Sequence, residues 1–286
     1  MLSTLIATAD LAARLDDPSL VIVDVRHDLG KPPEWGEEQY RLGHIPGARF
    51  ASLDRDLATA KSGRNGRHPL PAPDAAARTF GRLGIGADTQ VVAYDGGSSM
   101  YAVRLWWMLR WLGHDAVAVL DGGFDKWSRE GRPVTAEVPA ARTRELPVRH
   151  VGPALSAADV ARAIAERSVT LVDARAPERY RGEVEPLDPV AGHIPGARNR
   201  PYPRNLNPDQ TFKPADVLRR EFAELLGATP LERVVHYCGS GVSACHNMLA
   251  MEIAGLPGTR LYPGSWSEWS ADPAHPVATG DEAPAP

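Results

Sequence analysis

Cysteine is scarce: the 286-residue chain holds only Cys238 and Cys245. Two thiols in a chain of this length make no disulfide framework. Their C-x6-C spacing fits no common zinc pattern, and there is no further cysteine pair to complete one. Positive charge is not in surplus either. The 32 Lys and Arg residues face 36 Asp and Glu residues, a formal charge of −4, so no basic stripe points to nucleic acid or to an anionic membrane. Long apolar runs are missing: nothing approaches the roughly 18 uncharged residues of a membrane span, and the most apolar stretch, 101–112, is broken by Arg104 and Arg110. The first ten residues, MLSTLIATAD, lack the basic region that opens a secretory signal. The expected location is cytoplasmic, with no nucleic acid and no membrane among the partners.

What is present is ordinary globular composition, 43% hydrophobic and 24% charged. At about 150 residues per domain the length suggests two domains, each long enough to bury a core. Only the tail, TGDEAPAP at 279–286, reads as disordered.

The chain is written twice. TADLAARL (8–15), SLVIVDVR (19–26) and GHIPGAR (43–49) return as SAADVARAI (156–164), VTLVDAR (169–175) and GHIPGAR (192–198). Asp24 precedes His44 by 20 residues, and Asp173 precedes His193 by 20. VVAYD (91–95) and VVHYC (234–238) each open a Gly-rich loop ahead of a stretch expected to be an amphipathic helix. AVAVLDGG (116–123) and TRLYPGS (259–265) each precede a tryptophan: Asp95 to Trp127 is 32 residues and Cys238 to Trp269 is 31. This period is far too long for a solenoid and indicates one duplicated domain. The near-continuous apolar runs are of the kind that parallel sheets bury. Their alternation with helical patterns predicts α/β domains with helices on both faces of a parallel sheet. Ser156 with Asp159 has the form of a helix N-cap with an acidic third residue. Pro133, Pro139, Pro147, Gly152 and Pro153 mark a linker. The expected organisation is a first domain at 1–135, a linker at 136–152, a second domain at 153–280 and a disordered tail at 281–286. The glycines and proline of GHIPGA mark a turn, and because both copies carry His44 and His193 while only one has the cysteine, these histidines are expected to be structural.

The loop with chemistry is HYCGSGVSACHNMLAM (236–251). Cys238 ends a strand, Gly239, Ser240, Gly241, Val242 and Ser243 follow, and a helix is expected from about Val242 to Ala254, with Val242, Cys245, Leu249 and Ile253 on its inward stripe. Successive backbone N–H groups there curve into a nest, and the helix dipole adds positive potential. A thiolate or a persulfide on Cys238 is stabilised in such a nest. The glycines keep it open. Cys245, about two turns into the helix, is expected to pack in the core. The first-half counterpart is Asp95, which cannot act as a sulfur nucleophile, so one active centre per chain is expected.

These residues resemble the tandem-domain sulfurtransferases of the rhodanese superfamily, which act on thiosulfate or 3-mercaptopyruvate. The resemblance runs from about residue 5 to about 276 and rests on CGSGVSA (238–244), both GHIPGA turns, LDGGFDKW (120–127) and PGSWSEW (263–269). It implies two rhodanese-like domains, the first non-catalytic with Asp95 in place of the cysteine. It also implies a ping-pong reaction in which Cys238 takes the outer sulfur of a donor as a persulfide and passes it to cyanide, a small thiol or thioredoxin. No metal and no organic cofactor is implied. Arg179, within DARAPERYRG (173–182), falls where the family binds the donor's anionic group; a guanidinium grips a carboxylate or sulfonate through paired bonds. Gly239, Gly241, Val242 and Ser243 complete the implied donor site. Ser240, His68 in GRHPLP (66–71) and Asp54 match a Ser–His–Asp relay of the mercaptopyruvate-type enzymes.

The chain departs from the pattern in two places. Where mercaptopyruvate enzymes often have Glu-Pro-Arg, this chain reads Glu185-Pro186-Leu187. Where thiosulfate-preferring animal enzymes tend to be basic after the cysteine, it has Gly239 and Ser240. The donor is therefore open between the two. Two rival readings exist. A cysteine phosphatase needs an Arg six residues after the cysteine, and Ala244 stands there. A non-catalytic anion-binding or regulatory module is the other; the intact Cys238 and Arg179 argue against it, although anion sensing would also retain both.

Overall fold

The structure is a computed structural model that describes residues 1–140 and 142–281. The tail expected at 281–286 lies outside the described residues except for Asp281. By its contacts the chain falls into two compact units: Met1–Thr59, Pro71–Gly152 and Leu206–Phe212 form the first, and Ala60–Leu70, Pro153–Asn205 and the chain from Lys213 onward form the second. Two segments thus belong to units other than their sequence position suggests, Ala60–Leu70 to the second and Leu206–Phe212 to the first. The latter is tied to the first unit by the Phe212 N–H, which donates to Asp121 at 2.9 Å. The Pro-rich stretch expected as a linker lies along the first unit, where Arg144 and Gly152 donate to the carbonyls of Gly81 and Trp111.

The first unit runs β1 (Leu5–Ile6), α1 (Thr8–Ala12), β2 (Leu20–Asp24), α2 (Trp35–Leu42), β3 (Arg49–Phe50), α3 (Pro73–Arg82), β4 (Gln90–Tyr94), α4 (Ala102–Trp111), β5 (Val117–Leu120) and α5 (Gly123–Arg129). The second runs α6 (Ala157–Ala165), β6 (Thr170–Asp173), α7 (Pro177–Tyr180), β7 (Arg198–Asn199), α8 (Ala215–Leu226), β8 (Val234–Tyr237), α9 (Ala244–Ile253), β9 (Arg260–Leu261) and α10 (Ser265–Trp269). Each unit is a parallel sheet flanked by helices, in the order β1-β5-β4-β2-β3 and β7-β6-β8-β9. The second sheet's counterpart of β1 is reduced to one parallel bridge, Ala154 to Leu261. The apolar runs form the interior strands, β2, β4 and β5 in one unit and β6 and β8 in the other, as burial on both faces requires. The capping box at α6 forms as the sequence predicts: Ser156 Oγ accepts from the Asp159 N–H and Asp159 accepts from the Ser156 N–H.

The duplication extends to individual hydrogen bonds. At the end of β2, Arg26 binds Asp24 through Nε and Nη2 and donates to the Gly43 carbonyl at 2.7 Å. At the end of β6, Arg175 binds Asp173 and donates to the Gly192 carbonyl at 2.7 Å. His44 stacks on Tyr40 and binds its carbonyl through Nδ1 at 2.7 Å; His193 does the same with Tyr180 at 2.7 Å. Trp127 and Trp269 donate to the carbonyls of Pro133 and Pro276. Both GHIPGA histidines are therefore structural. Removing one partner from a buried pair such as Asp173–Arg175 leaves an uncompensated charge, worth about 3–5 kcal/mol of stability.

Two helices differ from the sequence expectation. α4 and α9 are not amphipathic: nine of the ten residues of α4 are buried, and so are Ala244 through Met251 of α9. The α9 segment carries no charge before Glu252, so no solvent face is specified. Helix α9 also starts at Ala244, which leaves Val242 in the preceding loop, and Ile253 is only half-buried. The expected single stripe of Val242, Cys245, Leu249 and Ile253 is thus replaced by burial around the whole first two turns. No helix among the described residues is long and apolar enough to cross a membrane.

Strand β8 carries a buried imidazole. His236 is fully buried, neither ring nitrogen has a partner among the described residues, and burial pulls its pKa down to about 3. The unfolded chain takes up a proton near pH 6.5 that the folded chain refuses, so stability falls as pH drops from about 6.5 towards 3, by up to about 1.4 kcal/mol per pH unit. His236→Leu is expected to flatten the dependence of melting temperature on pH between 4 and 6.5 and to raise it most at the acid end. An unchanged slope would assign the acid sensitivity to other groups.

Candidate active site

Strand β8 lies inside its sheet between β6 and β9, and Cys238 is the first residue beyond its carboxyl end. Open α/β sheets place ligands at this end of the strands. The loop Cys238–Ser243 then leads into α9, and every residue in it is buried. Its first two carbonyls are turned onto the start of α10: Cys238 accepts from the Trp266 N–H and Gly239 from the Ser267 N–H, both at 2.9 Å. The Cys238 N–H donates to Ser265 Oγ at 3.1 Å. Among the described residues, the N–H groups of Gly239, Ser240, Val242 and Ser243 meet no protein acceptor.

Gly241 makes this turn possible. Its φ is +72°, and a Cβ there would lie 2.2 Å from the Pro263 carbonyl oxygen. Only glycine satisfies both conditions. Ser265 is the complementary case, a non-glycine residue at φ +56° where the first unit has Gly123 at φ +57°. Holding a side chain in this region costs about 1–3 kcal/mol. Its hydroxyl binds the Cys238 N–H and the Tyr262 carbonyl. Ser265 was not singled out in the sequence, although the exchange of LDGGF for YPGSW between the copies is its signal.

The first unit offers an internal comparison. There the strand ends at Asp95, whose carbonyl accepts from the Phe124 N–H, and Gly96 accepts from the Asp125 N–H, reproducing the ties of Cys238 and Gly239. The Asp95 carboxylate occupies the loop itself. One oxygen accepts from the N–H groups of Gly97 and Ser99, the other from those of Tyr101 and Ala102, at 2.8–3.2 Å. Burial pushes this carboxyl up, and the four N–H groups pull it back. The turn thus binds an anion in the copy where the anion is part of the chain. In the other copy the corresponding position after the strand is Cys238.

Beside the cysteine loop stand a Ser–His pair and a cluster of ions. His68 Nδ1 and Ser240 Oγ share a hydrogen bond of 2.8 Å, and both residues are buried. Both lie in the second unit, because His68 travels with the segment Ala60–Leu70. The third residue of the expected relay, Asp54, is half-buried in a turn of the first unit. Arg179 lies beside the cysteine loop: a Cβ on Gly239 would be 3.6 Å from both of its terminal nitrogens. Its Nε and Nη2 bind Glu185 at 3.2 and 2.6 Å, and Nη2 is 3.5 Å from Asp188. Glu185 also contacts Arg175 at 3.3 Å and accepts from the N–H groups of Leu187 and Asp188. Arg67 binds Asp188 through Nη1. Arg67, Glu185 and Asp188 were not predicted as members of the site. The Arg67–Asp188 pair spans 121 positions, so no local pattern announces it. Arg181 is paired with Glu183 at the surface, and Cys245 is buried with its thiol 3.5 Å from the Gly241 carbonyl.

The Rhodanese-like domain family matches residues 7–130 and 156–272. A Pseudomonas aeruginosa protein named "Probable 3-mercaptopyruvate sulfurtransferase" is 46% identical over 280 residues, covering 97% of this chain and 98% of the relative. The human 3-mercaptopyruvate sulfurtransferase is 36% identical over 273 residues, covering 92% of this chain and 89% of its own. Among solved structures, the 3-mercaptopyruvate sulfotransferase SseA from Escherichia coli matches with a TM-score of 0.79 at 31% identity, over 92% of this chain and 98% of that one.

Asp95→Ala is expected to strand four buried N–H groups and to destabilise the protein by about 2–4 kcal/mol, read as a lower melting temperature, while sulfur transfer by the folded protein is unchanged. Asp95→Asn, which keeps one acceptor oxygen, should cost less. Equal stability of Asp95→Ala and the parent would refute the reading of this loop as an anion nest.

Proposed function

This chain belongs to the tandem rhodanese sulfurtransferases, and we propose that it carries sulfur from 3-mercaptopyruvate, and from thiosulfate as a second donor, through a persulfide on Cys238 to cyanide, a small thiol or thioredoxin. The observation that carries this reading is the hydrogen bond between His68 and Ser240 on the loop that begins at Cys238. The Cys238 thiolate attacks the substrate sulfur. An S–S bond forms, the C–S bond breaks, and its electron pair leaves on carbon as the enolate of pyruvate, which must gain a proton. A Ser–His pair at the loop is suited to move that proton. The persulfide rests among the amides of Gly239, Ser240, Val242 and Ser243, which meet its charge as fixed donors. In the second half-reaction the acceptor attacks the outer sulfur, the S–S bond breaks and the Cys238 thiolate returns. With thiosulfate the leaving group is sulfite, which takes the electron pair with it and needs no such proton. Arg179 binds the anionic end of either donor and exchanges part of its contact with Glu185 for the ligand.

Kinetics on both donors test the assignment. Cys238→Ala is expected to abolish transfer with the fold intact, and residual turnover at the parent rate would reject the cysteine. His68→Ala should lower kcat on 3-mercaptopyruvate by about 100-fold and on thiosulfate by less than about threefold. Equal losses would remove the proton role. Asp54→Asn in the same assay tests the third relay residue: a loss confined to 3-mercaptopyruvate assigns it, and no change discards it. Arg179→Ala should raise KM for both donors by about tenfold with little change in kcat; an unchanged KM would take Arg179 out of the site.

A further inference from the structure

The cysteine loop has no basic residue of its own, and Leu187 brings no charge to the turn that holds Glu185 and Asp188. The positive group nearest the loop comes from the segment Ala60–Leu70. A Cβ on Gly239, the residue after Cys238, would lie 2.7 Å from Arg67 Nη2, closer than to either nitrogen of Arg179 at 3.6 Å. Arg67 is tied to this loop through its main chain as well. Its N–H donates to Ser267 Oγ at 2.9 Å, and the Ser267 N–H donates to the Gly239 carbonyl at 2.9 Å. Only one of its three guanidinium nitrogens is engaged: Nη1 pairs with Asp188. Nε is buried without a partner, and among the described residues Nη2 has none. A buried donor left unmet costs free energy unless a ligand meets it. Two adjacent unmet N–H donors on one edge of a guanidinium match two oxygens of a carboxylate or a sulfonate.

We propose that Arg67 is a donor-binding and specificity-determining residue: its Nε–Nη2 edge, poised over Gly239, is the second guanidinium of an anion clamp whose first is Arg179. Asp188 sits between the two, on Arg67 Nη1 and 3.5 Å from Arg179 Nη2, and spaces them. The inference rests on the sulfur-transfer reading of this site and extends it to donor choice. At a fixed distance the interaction scales with the donor's charge. If a monoanion loses a given factor of affinity without Arg67, a dianion loses about the square of that factor. Arg67 therefore favours thiosulfate over 3-mercaptopyruvate.

The test is steady-state kinetics of Arg67→Met and Arg67→Lys on both donors at saturating acceptor. Arg67→Met is expected to raise KM about fourfold for 3-mercaptopyruvate and about 15-fold for thiosulfate, with kcat within about twofold. Arg67→Lys keeps the charge but loses the Nε–Nη2 edge, and it should fall between Arg67→Met and the parent. If Arg67→Met fails to fold by its melting curve, Arg67→Lys decides, with an expected rise of about threefold in the thiosulfate KM. An unchanged KM for both donors, or a loss in kcat alone, overturns the proposal. The two readings fail separately. A parent enzyme inert towards both donors would defeat the sulfur-transfer reading, whereas an active parent whose KM does not respond to Arg67 defeats only this one.

Discussion

A Gly-rich turn follows the central strand of each unit, and the residue that opens it separates the two copies. In the first it is the Asp95 carboxylate, held by four N–H groups. In the second it is Cys238, followed by amides that have no protein acceptor among the described residues. The carbonyl ties that shape the turn are the same in both: Trp266 and Ser267 in one copy, Phe124 and Asp125 in the other. One set of carbonyl ties thus frames a turn closed by a carboxylate in one copy and a turn with unspent amides after a cysteine in the other.

Net charge does not explain the cradle. Arg67, Arg175 and Arg179 face Asp173, Glu185 and Asp188 in one connected set of ion pairs. Three positive and three negative groups leave no surplus. What distinguishes this set is which of its N–H groups remain unspent. Buried ion pairs contribute little net stability because desolvation offsets their attraction. What they do supply is position. Glu185 fixes Arg179 and the backbone of the 187–188 turn together, and Asp188 fixes Arg67 and Arg179 together, so the remaining donors on both guanidinia stand beside Gly239 before any donor arrives.

Much of this was legible in the sequence because duplication writes each structural device twice. The strand runs, the Asp-x-Arg strand ends, the GHIPGA histidines and the tryptophans that follow the loops could be read by comparing halves. The Cys238 loop stood out because its counterpart had lost the thiol. Residues without a counterpart were harder to read. Arg67 and Asp188 are far apart in the chain and meet only through folding. Ser265 has a counterpart, Gly123, but its role depends on a positive φ that the sequence hides. Helices α4 and α9 differ from the amphipathic expectation because each is enclosed on nearly all sides by its own unit, which the local sequence pattern does not report. The exchanged segments, Ala60–Leu70 and Leu206–Phe212, carry no local pattern that announces their destination.

The most direct test of the account is the mass of the Cys238 peptide after the protein is mixed with donor in the absence of acceptor. The account predicts a gain of about 32 Da, one sulfur atom, on the peptide containing Cys238, removed when cyanide is added. A Cys238 of unchanged mass, or a gain confined to Cys245, would contradict it.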